Sequence, residues 1–214
     1  GTASDIGNGI SFNSSGDVVA TGSFKGSASF GTTTITSANT TSDVFITKLN
    51  STGVFQWTKK GIGNYANRGV DVGCDNSGNV YVTGQFSDTI TFDVAHNNTM
   101  QNVIFVLKYN SSGAEQWFKI IGGGASNTVY GIAVSSTGSS HVTGDFTGAL
   151  TFFGASNTTI TNPYLNKIFI AKYNSSGTVL WANAEGSDNS ITSRNIALDG
   201  GGNIYIGGHF SCKL

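Results

Sequence analysis

The chain has 214 residues, 38% of them hydrophobic and 11% aromatic, enough to bury a sizeable core and too apolar for a disordered tail. Only 11% are charged, the formal net charge is −1 and the 11 Lys and Arg are scattered, which argues against the basic stripe of a nucleic-acid binder. No apolar run approaches the roughly 20 residues of a membrane-spanning helix.

In chain order, the first landmark is an alternating apolar run that ends in ATGSF and returns as VTGQF, VTGDF and IGGHF. The glycines of these phrases, Gly22, Gly84, Gly144 and Gly208, are separated by 62, 60 and 64 residues, a step that marks an internal repeat. Further along each repeat come DVFITKLN, NVIFVLKYN and NKIFIAKYN with Lys48, Lys108 and Lys172. Trp57, Trp117 and Trp181 follow the turns NSTG, NSSG and NSSG. Repeat one spans residues 1–60, repeat two 61–121, repeat three 122–185 and a partial fourth 186–214, together one incomplete domain.

Within a repeat the apolar residues alternate or form short runs rich in Val, Ile, Phe and Tyr, bounded by Gly, Asn and Ser, which is the pattern of strands. In the second repeat the pattern predicts strands at 69–74 (A), 79–86 (B), 103–109 (C) and 114–120 (D). The joints from A to B (NSSG, DNSG, SSTG, GGGN) and from C to D are tight hairpin loops, in which Asn, Asp or Ser supports the turn and Gly takes the left-handed position. Four antiparallel strands in about 60 residues predict an all-β chain of β-propeller blades, about 3.5 of them present, with the recurrent aromatics between blades. A parallel β-helix needs shorter coils and an immunoglobulin-like array needs about 100 residues per unit.

The chain opens at Gly1 without a charged and then apolar leader, so a removed signal peptide or a piece of a longer protein is expected. At its far end FSCKL aligns with FTGAL at 146–150. Three blades and half of a fourth leave strand edges open. The expectation is that further blades of a longer chain complete a ring of about six to eight, or that copies assemble through these edges.

GVDVGCDNSGNVYVTGQF, then FVLKYNSSGAEQW, then a glycine-rich link resemble the bacterial β-propeller repeat known as the SBBP repeat, across essentially the whole chain. The resemblance implies a propeller outside the cytoplasm, secreted or at the cell surface, often one module of a longer protein. No set of catalytic residues belongs to that repeat, so none is carried over.

The strand order divides each blade into two ends. A–B and C–D turns share one end; the longer B–C and D–A connections share the other, where a ligand site is expected because irregular connections on a rigid scaffold carry binding residues. The alternative is that these connections only cover the strand ends. On this face Tyr65, Asn67, Tyr130 and Tyr164 are candidate glycan contacts. A second candidate set is the slot before the recurring Phe, which holds Ser23, Gln85, Asp145 and His209. It either reads a ligand or is a solvated strand position.

His141 replaces Val19, Tyr81 and Tyr205 of the other repeats and is expected to fill a packing slot. His96 has Asp93 nearby but no metal-binding spacing. The loops at Asp75 and Asp199 look like calcium loops yet offer one carboxylate each, too few for a hard cation. No nucleophile, base and carboxylate arrangement is recognisable, and GIGNYANRG at Gly61 lacks the strand and helix of a phosphate loop. The expectation is a non-enzyme without cofactor or metal.

Lys48, Lys108 and Lys172 are expected to be structural, stems on the sheet and ammonium groups on solvent or carbonyls. Cys74 and Cys212 fall in repeats two and four, so free thiols or intermolecular pairing are expected. Asn13, Asn39, Asn50, Asn97, Asn110, Asn157 and Asn174 begin glycosylation sequons, several at turns. The sequence thus reads as an extracellular or cell-surface scaffold for adhesion, matrix or surface assembly, with protein or glycan partners; a carbohydrate-binding propeller is the alternative.

Overall fold

The computed structural model describes residues 1–186 and 191–210, and every regular element among them is a β-strand. The first repeat holds β1 (Ile6–Phe12), β2 (Val18–Phe24), β3 (Ser27–Phe30), β4 (Thr33–Thr36), β5 (Asp43–Leu49) and β6 (Phe55–Gly63). The second holds β7 (Arg68–Cys74), β8 (Val80–Phe86), β9 (Thr89–Thr91), β10 (Ala95–Asn97), β11 (Val103–Tyr109) and β12 (Glu115–Gly122). Then come β13 (Ser126–Val134), β14 (Ser140–Phe152), β15 (Thr158–Tyr173) and β16 (Val179–Glu185), followed by β17 (Ile191–Leu198) and β18 (Ile204–Phe210). Among the described residues no helix is long and apolar enough to cross a membrane.

Strands β1, β2, β5 and β6 pair antiparallel in that order. So do β7, β8, β11 and β12, then β13, β14, β15 and β16, and finally β17 with β18. In the second repeat the observed strand ends differ from the expected ones by at most two residues, and β11 matches at both ends.

The B–C connections, expected to be irregular, contain hairpins. Residues 27–36 form β3 and β4, residues 89–97 form β9 and β10, and in the third repeat β14 and β15 run on into the same hairpin. Alternation explains them: TTIT and TIT put one apolar residue between outward threonines. Ile35, Ile90, Leu150 and Phe152 are buried. These hairpins also tie repeats together, since β9 pairs with β6 and the β14 extension pairs with β12.

Successive repeats face each other through their first strands, β1 and β2 on β7, β7 and β8 on β13, β13 and β14 on β17. Val72, Ile132 and Ile196 are buried in these seams, whereas Ile10, at the same register in β1, is 74% exposed. Each first strand carries a bulge at the same place, between Gly7 and Gly9, Gly69 and Asp71, Val129 and Gly131, Ser193 and Asn195. The bulge presses a carbonyl onto the neighbouring strand. A Cβ at Gly22, Gly84, Gly144 or Gly208 would collide with the carbonyl oxygen of Ile6, Arg68, Thr128 or Thr192. The recurring glycine of the TG phrases is therefore a close-approach residue, and the phenyl rings of Phe45, Phe105 and Phe169 close over the first three.

Candidate functional site

The two ends of the strands differ in how their polar groups are used. At the turn end, the Asn110 Oδ1 accepts the backbone N–H groups of Ser112 at 3.1 Å and Ala114 at 2.9 Å, and Asn50 and Asn174 do the same in their turns. Asp75 Oδ1 likewise accepts from Ser77 and Asn79, while its Oδ2 accepts from the Asn79 amide and the Tyr81 hydroxyl. The carboxylate is thus fully occupied in closing a hairpin.

The tryptophans and lysines latch onto these turns. Trp57 Nε1 donates to Ser111 O at 3.2 Å and Trp117 Nε1 to Ser175 O at 3.1 Å, each in the next repeat. Lys48 donates to Gly78 O at 3.2 Å and pairs with Asp17 at 3.1 Å; Lys108 donates to Ser175 O at 3.0 Å and lies over the Tyr81 ring. Gly113 and Gly177, at φ 83° and 79°, lie under the rings of Trp57 and Trp117, where a side chain would strike the indole. The repeated NSSG is therefore both a turn and the seat of the preceding repeat's tryptophan.

At the other end, between the second and third repeats, a cleft of about 640 Å³ opens among Arg68, Gln85, Asn102, Gly124, Ser126 and Thr128. The Arg68 guanidinium is exposed and donates to the Gln85 Oε1. Gln85 is held in turn, its Nε2 donating to Asn127 O at 3.1 Å. Asn127 Nδ2 donates to Gly123 O at 3.1 Å, and its Oδ1 is buried without a partner. Gly123 and Gly124 are both left-handed, with φ 97° and 75°, and the carbonyls of Ala149 and Thr147 crowd the places where their side chains would be. The glycine-rich link therefore presents bare backbone to the cleft.

The candidate residues do not gather into one site. Gln85 reaches the cleft. Tyr130 is half-buried at the bulge of β13, with the Arg194 guanidinium 5.4 Å from its ring centre. Burial and then the nearby Asp145 carboxylate push the Tyr130 hydroxyl's pKa up, while Arg194 and Arg68 oppose them. Asp145 itself is buried and accepts from Ser193 N at 3.0 Å and Asn166 Nδ2 at 3.1 Å. Asn67, expected to be a ligand contact, is instead 1% exposed and donates to Asp43 and to Tyr65 O. It pins the D–A link because Asp43, buried at the start of β5, needs donors. Tyr65 is exposed, and the Tyr164 side chain lies outside the described residues.

The slot of Ser23, Gln85, Asp145 and His209 is not uniformly a solvated strand position: Ser23 and Asp145 are buried, and Asp145 bridges to the next repeat. His209 is exposed opposite Thr192. His141 is buried beside Trp181, as its packing slot predicts. His96 pairs with Glu115 at 2.8 Å and stacks on Phe118, while Asp93 pairs with Lys59 instead. Of the sequon asparagines, Asn39, Asn97 and Asn157 are exposed and Asn50, Asn110 and Asn174 are half-buried in turns. Asn13 is buried with its amide on Asp17. Cys74 is a free, half-buried thiol whose pKa burial raises, and Cys212 lies outside the described residues.

Arg68 was not among the candidates that the sequence marks. Its signal is a departure within the repeat: the equivalent positions are Thr128 and Thr192, and the chain has only two arginines.

No protein-family model matches the chain. It is similar to an uncharacterized WD repeat-containing protein of Acanthamoeba polyphaga mimivirus, 27% identical over 206 residues that cover 81% of the chain and 15% of that protein. The chain thus spans a small part of the length of this relative. With the repeated antiparallel sheets, the similarity points to a β-propeller-type repeat.

Proposed function

We propose that the chain is a stretch of β-propeller, built from four-stranded blades of about 60 residues, that serves as a non-catalytic scaffold for protein interaction and binds its partner on the face of the long connections. The single observation that carries this reading is the difference between the ends. The turn end spends its Trp and Lys groups on holding repeats together and its Asn and Asp groups on closing hairpins, while the long-connection end leaves a polar cleft with an exposed guanidinium. The name of the WD repeat relative supports a scaffold, and the exposed Ile10 in a slot buried in later repeats supports a further repeat packed on β1. Following the resemblance to SBBP repeats, the reading places the protein outside the cytoplasm, in adhesion or surface assembly.

Photo-cross-linkers placed singly at Gln101 and Ser126, at the cleft, and at Thr52 and Ser112, in the turns, test the reading in the cells that make the protein. Adducts with another protein are expected from the first pair. Equal yields from the turn positions, or none from any, would overturn it. Protease accessibility on intact cells tests the location; full protection would contradict it.

A further inference from the structure

We infer that the cleft between the second and third repeats is a receptor for a carboxylate side chain of an acidic peptide, with Arg68 as the fork that takes it and Gln85 as the residue that positions the fork. The inference rests on the scaffold reading above and names the chemistry of its partner.

Arg68 is the starting point. Lys48 and Lys59 are paired with Asp17 and Asp93, but the hydrogen-bond partner of Arg68 is a neutral amide, so its charge is oriented and not neutralised. Gln85 cannot turn away freely, since its Nε2 is tied to Asn127 O and Asn127 is tied to the glycine link. A guanidinium presents several N–H donors in a planar fork, and binding one amide oxygen leaves others for a bidentate carboxylate.

The lining decides which anion suits. Among the described residues that line the cleft there is one cation and no carboxylate. One positive charge matches one carboxylate better than a phosphate carrying about −1.5 to −2. No aromatic ring lines the cleft, so a sugar acid would find no platform for its ring, whereas Ser126, Thr128, Asn102 and the bare Gly124 backbone offer donors and acceptors to a peptide main chain. Its volume of about 640 Å³ lies within the range of sites that hold a side chain with its neighbouring backbone.

The test is fluorescence anisotropy of the full 214-residue chain with a labelled tetraglutamate peptide, set beside tetraglutamine and tetragalacturonate. Tetraglutamate is expected to bind and tetraglutamine not. Arg68→Met should weaken binding by about tenfold or more, the size of one lost charge-assisted bond. Arg68→Lys, which keeps the charge and loses the fork, should weaken it as well, and it serves as the second variant if Arg68→Met fails to fold. Gln85→Leu should weaken it less, and Arg194→Met should leave it unchanged. Absent binding, or binding indifferent to both Arg68 variants, overturns the inference; a preference for tetragalacturonate overturns the peptide assignment. If partner adducts still form at Gln101 and Ser126 while Arg68 proves irrelevant, only this inference falls. If those adducts are also absent, the scaffold reading falls with it.

Discussion

The seam between the second and third repeats shows two solutions to the same problem of joining sheets. At its turn end, Trp117 and Lys108 converge on one carbonyl, that of Ser175, and Gly177 lies flat beneath the indole. At its other end, Arg68 leans on Gln85, Gln85 on a main-chain carbonyl, and a cleft remains. The first arrangement satisfies its groups, and its tryptophan seat recurs at the preceding seam, where Trp57 bonds to Ser111 O; the Arg68 and Gln85 pair is particular to this seam. A repeated sequence can thus concentrate cohesion at one end of its strands and leave the other end free to vary, which is where binding is cheapest to evolve.

The comparison can be broken first at its most crowded point. Gly144→Val would drive a side chain into the Thr128 carbonyl and the Phe169 ring, and a loss of about 4 kcal/mol or more is expected in chemical denaturation. Trp117→Ala removes a half-buried indole and its bond to Ser175, with an expected loss of about 3 kcal/mol. Peptide binding at the cleft should survive Trp117→Ala wherever the chain remains folded.

A pH titration sharpens the picture of the core behind the turns. His141 is 3% exposed, and burial, followed by the charge of Lys172, lowers its pKa from 6.5 to about 4. The folded state therefore takes up this proton later than the unfolded one. The contribution is whole above pH 6.5 and drains away as the pH falls through that value toward the folded pKa, by about 3 kcal/mol in total. Denaturation midpoints measured across this range should slope downward toward acid in the wild type and flatten in His141→Phe.

Smaller effects separate the ends most cleanly. Asn110→Ala removes an oxygen that accepts two turn amides, and about 1 kcal/mol should be lost. Gln101→Ala, exposed at the rim of the cleft, should change stability by less than about 0.5 kcal/mol.

Much of the fold is legible because the repeat forces it to be. The glycine of each TG phrase, the NSSG turns and the apolar alternation recur at a fixed step, and each has one physical cause visible in the structure: a bulge carbonyl, a tryptophan seat, a seam. The B–C hairpins were harder to foresee, since three or four alternating residues in TIT or TTIT give too short a signal to tell a strand from a loop. Asn67 and Asp145 looked like surface amides and acids because burial against a neighbouring repeat depends on contacts that lie far off in sequence, Asp43 in the repeat before Asn67 and Ser193 in the repeat after Asp145. Arg68 was hidden for the opposite reason: its meaning comes from what surrounds it, a neutral amide and the bare backbone of Gly123 and Gly124.

The central claim is that partners meet the long-connection end and not the turn end. Ser126→Trp and Ser176→Trp place the same bulk at the two ends of the seam between repeats two and three, both at exposed positions. Partner-adduct yield from a photo-cross-linker at Gln101, with melting temperature as the folding control, is the measurement. The account predicts that Ser126→Trp abolishes the adduct, that Ser176→Trp preserves it, and that both variants melt like the parent. Loss of the adduct in Ser176→Trp with retention in Ser126→Trp would contradict it.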